Sequence, residues 1–379
     1  MSNLGTWVHD IGAGWLMSEL DGTPENVAAV RTAMTIPVTI LAIPAGVLAD
    51  RFDRRKLLIL TQLTLLSCAT TLAFLTHTER ITPSLLLLLT FAMGLSLVVH
   101  VPTWQAAIPE LVPREQLPQA VALGSVSFNL ARAIGPAIGG YLIGLTGVWI
   151  AFAINAVSFA GVLLVLFRWR RESSESPRGL SFWVSMVQGV RYVYRKQSIR
   201  RVLIGVILFV IPASAFWALL PLVVKVRLQW GPSGLGLLTG LFGIGAVIAA
   251  SLLPNFKSKW GAGKTFTGAM LLFATGFLTS SLFESRLIVS CTTLLMGGCW
   301  MMTLTTLNAS IQIQLPRRMR ARGVSCYLTA IAFSMAVGSM IWGQVAGAMG
   351  IGSAQAIAAT ILLLTTAIGA TLRIGRTLR

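Results

Sequence analysis

The sequence predicts an all-α integral membrane protein with twelve transmembrane helices in two six-helix repeats. Three observations support this prediction. The chain of 379 residues is 55% hydrophobic and only 11% charged, with a mean hydropathy of +0.77, whereas soluble domains carry about 25% charged residues. Apolar runs that reach the roughly 20 residues needed to cross a bilayer recur along the whole chain. Finally, residues in the first half recur in the second half at one fixed spacing.

The apolar runs define twelve predicted spans and three regions. The spans are 1–20, 27–48, 57–76, 83–108, 118–145, 148–167, 202–224, 234–254, 265–283, 287–313, 323–348 and 353–372. These spans divide the chain into an N-terminal six-helix half (1–167), a polar linker with an interfacial helix (168–201) and a C-terminal six-helix half (202–379). The first span opens without Lys or Arg, so we expect the start of helix 1 to be incomplete, through a late start assignment or a real truncation.

The basic residues predict the orientation, because cytoplasmic loops are enriched in Lys and Arg. Most of the 30 Lys and Arg residues fall on one side of the alternating loops. The opposite side holds Arg31, Arg80, Lys225, Arg227 and Arg286, and Arg132 lies within a span. We therefore expect both termini to be cytoplasmic. The net charge of +18 follows this loop pattern, so it does not indicate a nucleic-acid partner.

The two halves repeat along the sequence. A shift of 203 residues places Thr103 on Thr306, and it places the pair Pro113-Arg114 on Pro316-Arg317. Three glycines at the end of the fifth span and just after it follow the same shift: Gly140, Gly144 and Gly147 fall on Gly343, Gly347 and Gly350. Parallel repeats of this kind are typical of transporters whose halves are related by an axis along the membrane normal.

The loop between the second and third spans carries the clearest motif. It reads Gly46-Val47-Leu48-Ala49-Asp50-Arg51-Phe52-Asp53-Arg54-Arg55-Lys56. This stretch resembles the signature loop of the major facilitator superfamily of secondary transporters, although Asp53 stands where that family most often has glycine. Its form is similar to that of the transmembrane secretion effector group, which includes enterobactin and macrolide exporters. The resemblance implies a conformational latch made by Gly46, Asp50, Arg51, Arg54 and Arg55, in which Asp50 meets the start of helix 11 near Arg320, Arg322 and Gly323.

The fifth span carries a second motif, Gly135-Pro136-Ala137-Ile138-Gly139-Gly140. It resembles the Gly-Pro-x-x-Gly-Gly motif of exporters in the same superfamily. Glycines allow another helix to approach closely, and the proline removes a backbone hydrogen bond and bends the helix. A packing motif without meaning for the direction of transport is the alternative interpretation.

Three charged or titratable residues are candidates for proton coupling. Asp10 is the one carboxylate deep in a predicted span, and ionisable groups within the membrane are functional candidates by default. Permanent pairing of Asp10 with Arg132, or capping by Trp and Ser groups, is the structural alternative. The resemblance implies an arginine in helix 4, but Pro83 to Ile108 contains His100 and no Arg. Arg132 or His100 would therefore have to replace it, while His9 is interpreted as a packing residue.

Large and polar residues within spans predict a cavity for an amphipathic organic molecule. The candidates are Trp7, Gly14, Gln105, Asn129, Asn155, Trp217 and Asn308. Nothing indicates an enzyme, a cofactor or a metal site. The histidines lack ligand spacing, the four cysteines form no C-x-x-C pair, and Gly261-Ala262-Gly263-Lys264-Thr265 has Ser258 where a phosphate-binding loop needs glycine.

These observations together predict a secondary active transporter in the bacterial inner membrane. It would export a hydrophobic or amphipathic small molecule, drug-like or siderophore-like, by alternating access with proton coupling, as a monomer surrounded by lipid. An importer of the same superfamily, and a non-transporting membrane sensor or partner subunit, are the alternatives. The substrate, the direction and the coupling ion are not determined by the sequence.

Overall fold

The computed structural model describes residues 2–169, 196–316 and 320–371, and these residues are helical apart from short connections. The α-helices are α1 Ser2–Leu20, α2 Pro24–Arg51, α3 Arg54–His77, α4 Pro83–Leu111, α5 Leu117–Thr146, α6 Trp149–Arg168, α7 Gln197–Leu222, α8 Pro232–Leu282, α9 Arg286–Gln314, α10 Arg320–Met349 and α11 Ile351–Thr371. A 3₁₀ turn, Arg114–Gln116, precedes α5, and a π-helical segment, Val223–Arg227, follows α7. Within the described ranges, nine helices are long and apolar enough to cross a membrane.

The helix bounds agree with the predicted spans within a few residues. The predicted spans 234–254 and 265–283 both lie within α8, and a kink with non-helical backbone at Gly261 divides Pro232–Leu282 into two helices between them. The helical backbone is interrupted at Gly261, which has φ 76° and ψ 159°, a conformation that favours glycine. Phe256 and Trp260, one turn apart, pack their rings at 5.1 Å, and this contact stabilises helix in the part predicted as loop.

Local chemistry explains several helix ends. Asp53 caps α3, because its Oδ1 accepts a hydrogen bond of 2.9 Å from the Lys56 backbone N–H, which satisfies one of the unpaired donors of the first turn. Thr82 caps α4 in the same way through the Leu85 N–H, just ahead of Pro83. Gly147 ends α5 with φ 95°, and Gly350 follows α10 with φ 87°, the left-handed conformation that commonly ends helices at glycine.

The described residues fall into two compact units. The first unit draws on Met1–Asp21, Ala33–Leu180 and Gly231–Gly240. In it, α1 packs on α5 and α6, and α3 packs on α4 and α6. The second unit draws on Gly22–Thr32, Ser181–Trp230 and Leu241–Arg379. In it, α7 packs on α10 and α11.

Helices of the two halves have equivalent bounds. Pro83 and Leu111 of α4 lie 203 residues before Arg286 and Gln314 of α9, so both ends of these two helices share the spacing found in the sequence. The bounds of α5 and α10 also differ by 203 residues at both ends. The interfacial helix predicted within 168–201 lies almost entirely in 170–195, outside the described residues.

Candidate transport site

The basic loop between α2 and α3 is described only in part. The backbone of Gly46, Asp50 and Arg51 belongs to α2, which ends at Arg51. The side chains of Asp50 and Arg51 lie outside the described part of the structure. The side chain of Arg320, at the start of the predicted partner helix, also lies outside it. The predicted contact of Asp50 with that helix therefore stays a prediction.

Arg54 and Arg55, at the start of α3, connect α3 to two other helices of the first unit. Arg54 donates to the Ala106 carbonyl at 3.1 Å and forms an ion pair of 2.5 Å with Glu110, both in α4. Arg55 donates to the carbonyls of Leu166 and Phe167, at 3.1 and 3.0 Å, at the end of α6. These two arginines thus brace the start of α3, and Glu110, which the sequence analysis did not single out, is a direct partner of Arg54.

The glycine motif of α5 faces two helices. A Cβ added to Gly135 would lie 2.8 Å from the Trp7 Cβ, and one added to Gly139 would lie 3.1 Å from the Val8 Cα, so these glycines seat α1. A Cβ on Gly140 would lie 2.9 Å from the Gly236 Cα near the start of α8. The distances at Gly135 and Gly140 are shorter than real Cβ atoms show, so these two approaches require glycine, whereas a Cβ on Gly139 would require α1 to shift by a few tenths of an ångström.

The glycines of α10 that are equivalent to those of α5 approach the start of α2. A Cβ on Gly343 would lie 2.9 Å from the Ala28 Cβ and 3.2 Å from the Pro24 carbonyl oxygen. Gly347 lies directly against the Glu25 carboxylate. Gly140 likewise lies against the carbonyl of Pro232, the first residue of α8. Two equivalent glycines therefore each meet a helix that begins with proline.

The proton-coupling candidates occupy three separate helices. Asp10 is half-buried in α1. Arg132 is half-buried in α5, and the described part of the structure shows no ion-pair partner for it, so the alternative Asp10–Arg132 pair is absent here. His100 of α4 lies with its Nδ1 3.0 Å from the Thr61 hydroxyl of α3.

Five polar side chains of the first unit have buried, unpartnered atoms in the described structure: His9, Gln62, Thr76, Thr90 and Asn155. His9 in α1 is 1% exposed, and neither ring nitrogen has a hydrogen-bond partner. Its ring packs edge-on against Phe152 of α6 at 4.9 Å. One turn further along α6, the Nδ2 of Asn155 is also unpartnered, as is the Oε1 of Gln62 in α3. Such groups are uncommon in protein interiors. The complete burial of His9 has no local signal in the sequence, because it depends on the packing of α1 against α6.

The predicted cavity residues divide between the two units. Trp7 packs edge-on against Phe128 at 6.3 Å in the first unit, where Gly14 is half-buried and Asn155 is buried. Gln105 and Asn129 are exposed, and Asn129 donates to the Ser125 carbonyl of its own helix. In the second unit, Trp217 joins a group of aromatic rings, and Asn308 accepts from Gln312 one turn later.

A groove of about 610 Å³ lies at the surface of the first unit, between the end of α2, α3 and α4. Its lining combines apolar side chains, mainly leucine, with the hydroxyl groups of Thr61, Thr64 and Ser96 and the charged Asp53 and Lys56. None of the predicted cavity residues lines it. It therefore adds no support to the predicted substrate site.

The comparisons with known proteins agree with this geometry. A staphyloferrin A transporter of Staphylococcus aureus is 23% identical over 293 residues, covering 77% of this chain and 74% of the relative. The enterobactin exporter EntS of Salmonella choleraesuis is 30% identical over 210 residues, covering 54% of this chain and 49% of the exporter. A crystal structure of the nucleoside transporter NupG has a TM-score of 0.78 at 11% identity, covering 98% of this chain and 96% of that one, which is a likeness of fold alone.

The family match covers nearly the whole sequence. Residues 1–377 match the transmembrane secretion effector family. The signature loop, the helix bounds and the fold of the solved neighbour all agree with that match. The chain therefore belongs to the transmembrane secretion effectors of the major facilitator superfamily and is a multi-pass membrane transporter.

Proposed function

We propose that this transporter exports a hydrophobic or amphipathic small molecule, drug-like or siderophore-like, by proton-coupled alternating access. The proposal includes twelve spans in two repeats, with domains 1–167, 168–201 and 202–379, acting as a monomer in the bacterial inner membrane with both termini in the cytoplasm. The exporter relative supports the direction of transport. The equivalent bounds of α4 and α9, and of α5 and α10, support the two repeats.

One observation carries the mechanism: Gly140 meets the start of α8, and its equivalent Gly343 meets the start of α2. In both contacts the glycine backbone packs against the backbone or a small side chain of the other helix. Neither contact depends on a salt bridge. Each such contact gains only van der Waals energy, which is small per atom pair and is lost smoothly on separation. Helices joined in this way can part and close repeatedly, as alternating access requires.

The remaining candidate residues take roles that fit this cycle. The latch at the cytoplasmic ends of the helices would be formed by Gly46, Asp50, Arg51, Arg54 and Arg55. There, Arg54 and Arg55 brace α3 against α4 and α6. Asp10 would carry the proton, because an arginine such as Arg132 stays protonated in proteins. His100 is the second candidate for this role, and Trp7, Gly14, Asn155, Trp217 and Asn308 would contribute to the substrate path.

The test uses purified protein in liposomes with an imposed pH gradient, and it measures accumulation of a macrolide, enterobactin and a lipophilic dye. We expect uphill transport of at least one probe in the export direction. Asp10→Asn keeps the shape and hydrogen bonding of the side chain but cannot titrate, so we expect it to abolish uphill transport and to preserve downhill exchange. Glu79→Gln, in the exposed turn after α3, is the control carboxylate and should transport like the wild type.

Two results would contradict the proposal. If the Asp10→Asn protein still concentrates a probe against its gradient, Asp10 is structural, and either His100 or no proton drives the cycle. If the wild type moves the probes only in the import direction, or binds them without moving them, the export assignment is wrong.

A further inference from the structure

The groove between the end of α2, α3 and α4 has a long apolar wall with one charged end. On α3, its lining residues Lys56, Leu60 and Thr64 follow one another at intervals of four, so they share one face of the helix. The lining residues of α4 are Ala92, Leu95, Ser96 and Val99. Leu60 is 62% exposed. Exposed apolar surface of this kind on a membrane transporter is a surface for lipid.

The hydroxyl groups in this wall do not require a polar ligand. Thr64 donates to the Leu60 carbonyl at 3.1 Å, and Ser96 donates to the Ala92 carbonyl at 3.1 Å, each one turn back in its own helix. Thr61 donates to carbonyls of α3 in the same way. Because hydroxyl groups that are already hydrogen-bonded cost little in an apolar environment, the wall suits a hydrocarbon chain.

A lysine stands at one end of the groove. Lys56 is exposed, and the described part of the structure gives its ammonium group no hydrogen-bond or ion-pair partner. The carboxylate of Asp53, at the same end, caps α3 by accepting from the Lys56 backbone N–H at 2.9 Å. The neighbouring Arg54 pairs with Glu110. The Lys56 ammonium group is therefore accessible to an anion from outside the chain.

The length of the groove matches one leaflet of a bilayer. From Lys56 to Thr64, α3 rises about 12 Å at 1.5 Å per residue, and half of a hydrocarbon core of about 30 Å is about 15 Å. In the proposed orientation Lys56 lies at the cytoplasmic surface of the membrane, where anionic lipids attract basic residues. A phospholipid with its phosphate at Lys56 would therefore place an acyl chain along the apolar wall.

We propose that this groove binds one anionic phospholipid of the cytoplasmic leaflet. Lys56 meets the phosphate group, and one acyl chain lies between α3 and α4 against Leu60 and Leu95. The proposal goes beyond the proposed export, because it concerns the surrounding bilayer, and it uses the proposed orientation only to name the leaflet. The bound lipid contacts the same two helices that Arg54 connects, so it stabilises the folded protein by mass action.

The test measures the affinity of the first bound lipid by native mass spectrometry of the protein in detergent, so it depends on neither transport nor orientation. The probes are palmitoyl-oleoyl phosphatidylglycerol and phosphatidylcholine, which have the same chains and differ in net charge, and glycerol 3-phosphate, which has no chains. For the wild type we expect phosphatidylglycerol to bind about fivefold more tightly than phosphatidylcholine, the gain from one lysine at an anionic lipid surface. Equal affinities for the two lipids, or competition by glycerol 3-phosphate, would overturn the proposal.

The variants locate the headgroup and the chain separately. Lys56→Gln should remove the preference for phosphatidylglycerol, whereas Lys56→Arg, which keeps the charge, should retain it. Ala92→Leu adds volume inside the groove, so it should weaken both lipids severalfold. The matched controls are Lys259→Gln in α8 and Ala122→Leu in α5, both at exposed positions outside the groove, and they should bind like the wild type.

Two results with the variants would overturn the site. A preference that survives Lys56→Gln would show that another cation meets the headgroup, and unchanged binding by Ala92→Leu would show that the chain lies elsewhere. Since the transport assay uses other probes and measures flux, either result would leave the proposed export untouched.

Discussion

At the residue scale, the motif arginines and the buried histidine show opposite ways of placing polar groups. Arg54 and Arg55 are satisfied by a carboxylate and by carbonyls at the ends of α4 and α6. Such paired groups at helix ends gain charge-assisted hydrogen bonds at little desolvation cost. The ring of His9, in α1, packs against α6, and both of its nitrogens are unpartnered in the described structure. A buried group of this kind costs free energy that an apolar residue would not cost.

We therefore expect His9→Leu to stabilise the protein if the ring serves only packing. Each unpartnered buried polar group costs about 1–3 kcal/mol, which corresponds to a rise of about 2 °C or more in the midpoint of thermal unfolding. Transport should be unchanged. The measurement is thermal unfolding of the purified protein in detergent, together with flux in liposomes. His9→Gln, which keeps a polar group at the site, should give no rise. A lowered midpoint, or lost transport, would mean that His9 has a polar partner in another state of the cycle.

At the element scale, close helix packing is set by individual glycines. Gly135 and Gly139 allow α1 to pack closely on α5, and Gly140 allows the start of α8 to do the same. A Cβ atom added to any of these glycines would lie within about 3 Å of neighbouring atoms. In a bilayer, where lipid is as apolar as leucine, such close van der Waals packing is a main source of helix association. The helix-5 motif is thus a packing surface toward two helices at once.

We expect Gly140→Ala to impair transport because its methyl group would enter the backbone of α8. Overpacking of this kind costs about 1–3 kcal/mol, so a drop in transport rate of about tenfold is expected. The measurement is flux in liposomes, normalised to the amount of folded protein. Gly124→Ala is the matched control in the same helix, since an added Cβ there would meet no atom within 4 Å. Equal rates for the two variants would show that α5 and α8 adapt to the methyl group.

At the scale of the whole molecule, charge and repetition organise the chain. Most basic residues fall on one side of the predicted alternating loops, the side that is cytoplasmic in the proposed orientation. The bounds of α5 and α10 differ by 203 residues at both ends, and Gly140 and Gly343, also 203 residues apart, each contact the start of a helix that begins with proline. The proposed parallel repeat would place these features on the same side of the membrane.

The orientation gives a direct prediction. Phe52, exposed between α2 and α3, should face the cytoplasm, and Glu79, exposed after α3, should face outward. In a background without the four native cysteines, a membrane-impermeant thiol reagent applied to intact cells should label Glu79→Cys but not Phe52→Cys. In inverted membrane vesicles the labelling should be reversed. Labelling of Phe52→Cys in intact cells would overturn the orientation.

Features carried by contiguous residues could be predicted from the sequence. Each apolar run determines a helix because the bilayer leaves backbone groups no other partners, and α1 to α7 and α9 to α11 begin and end within a few residues of the predicted spans. The signature loop and the match between halves were sufficient for the family, which the comparison confirms. The predicted division within α8 agrees with the kink at Gly261, although the basic stretch before that glycine is helical.

Contacts between distant residues were decided by the tertiary structure alone. The pairing of Arg54 with Glu110 joins residues 56 positions apart, and the contact of Arg31 with Trp217 joins two different helices. No local pattern specifies which face of a helix meets which neighbour, because many arrangements bury the same apolar area. The fit of individual side chains, such as the space left by Gly140, selects among these arrangements, and this fit exists only once the helices are packed.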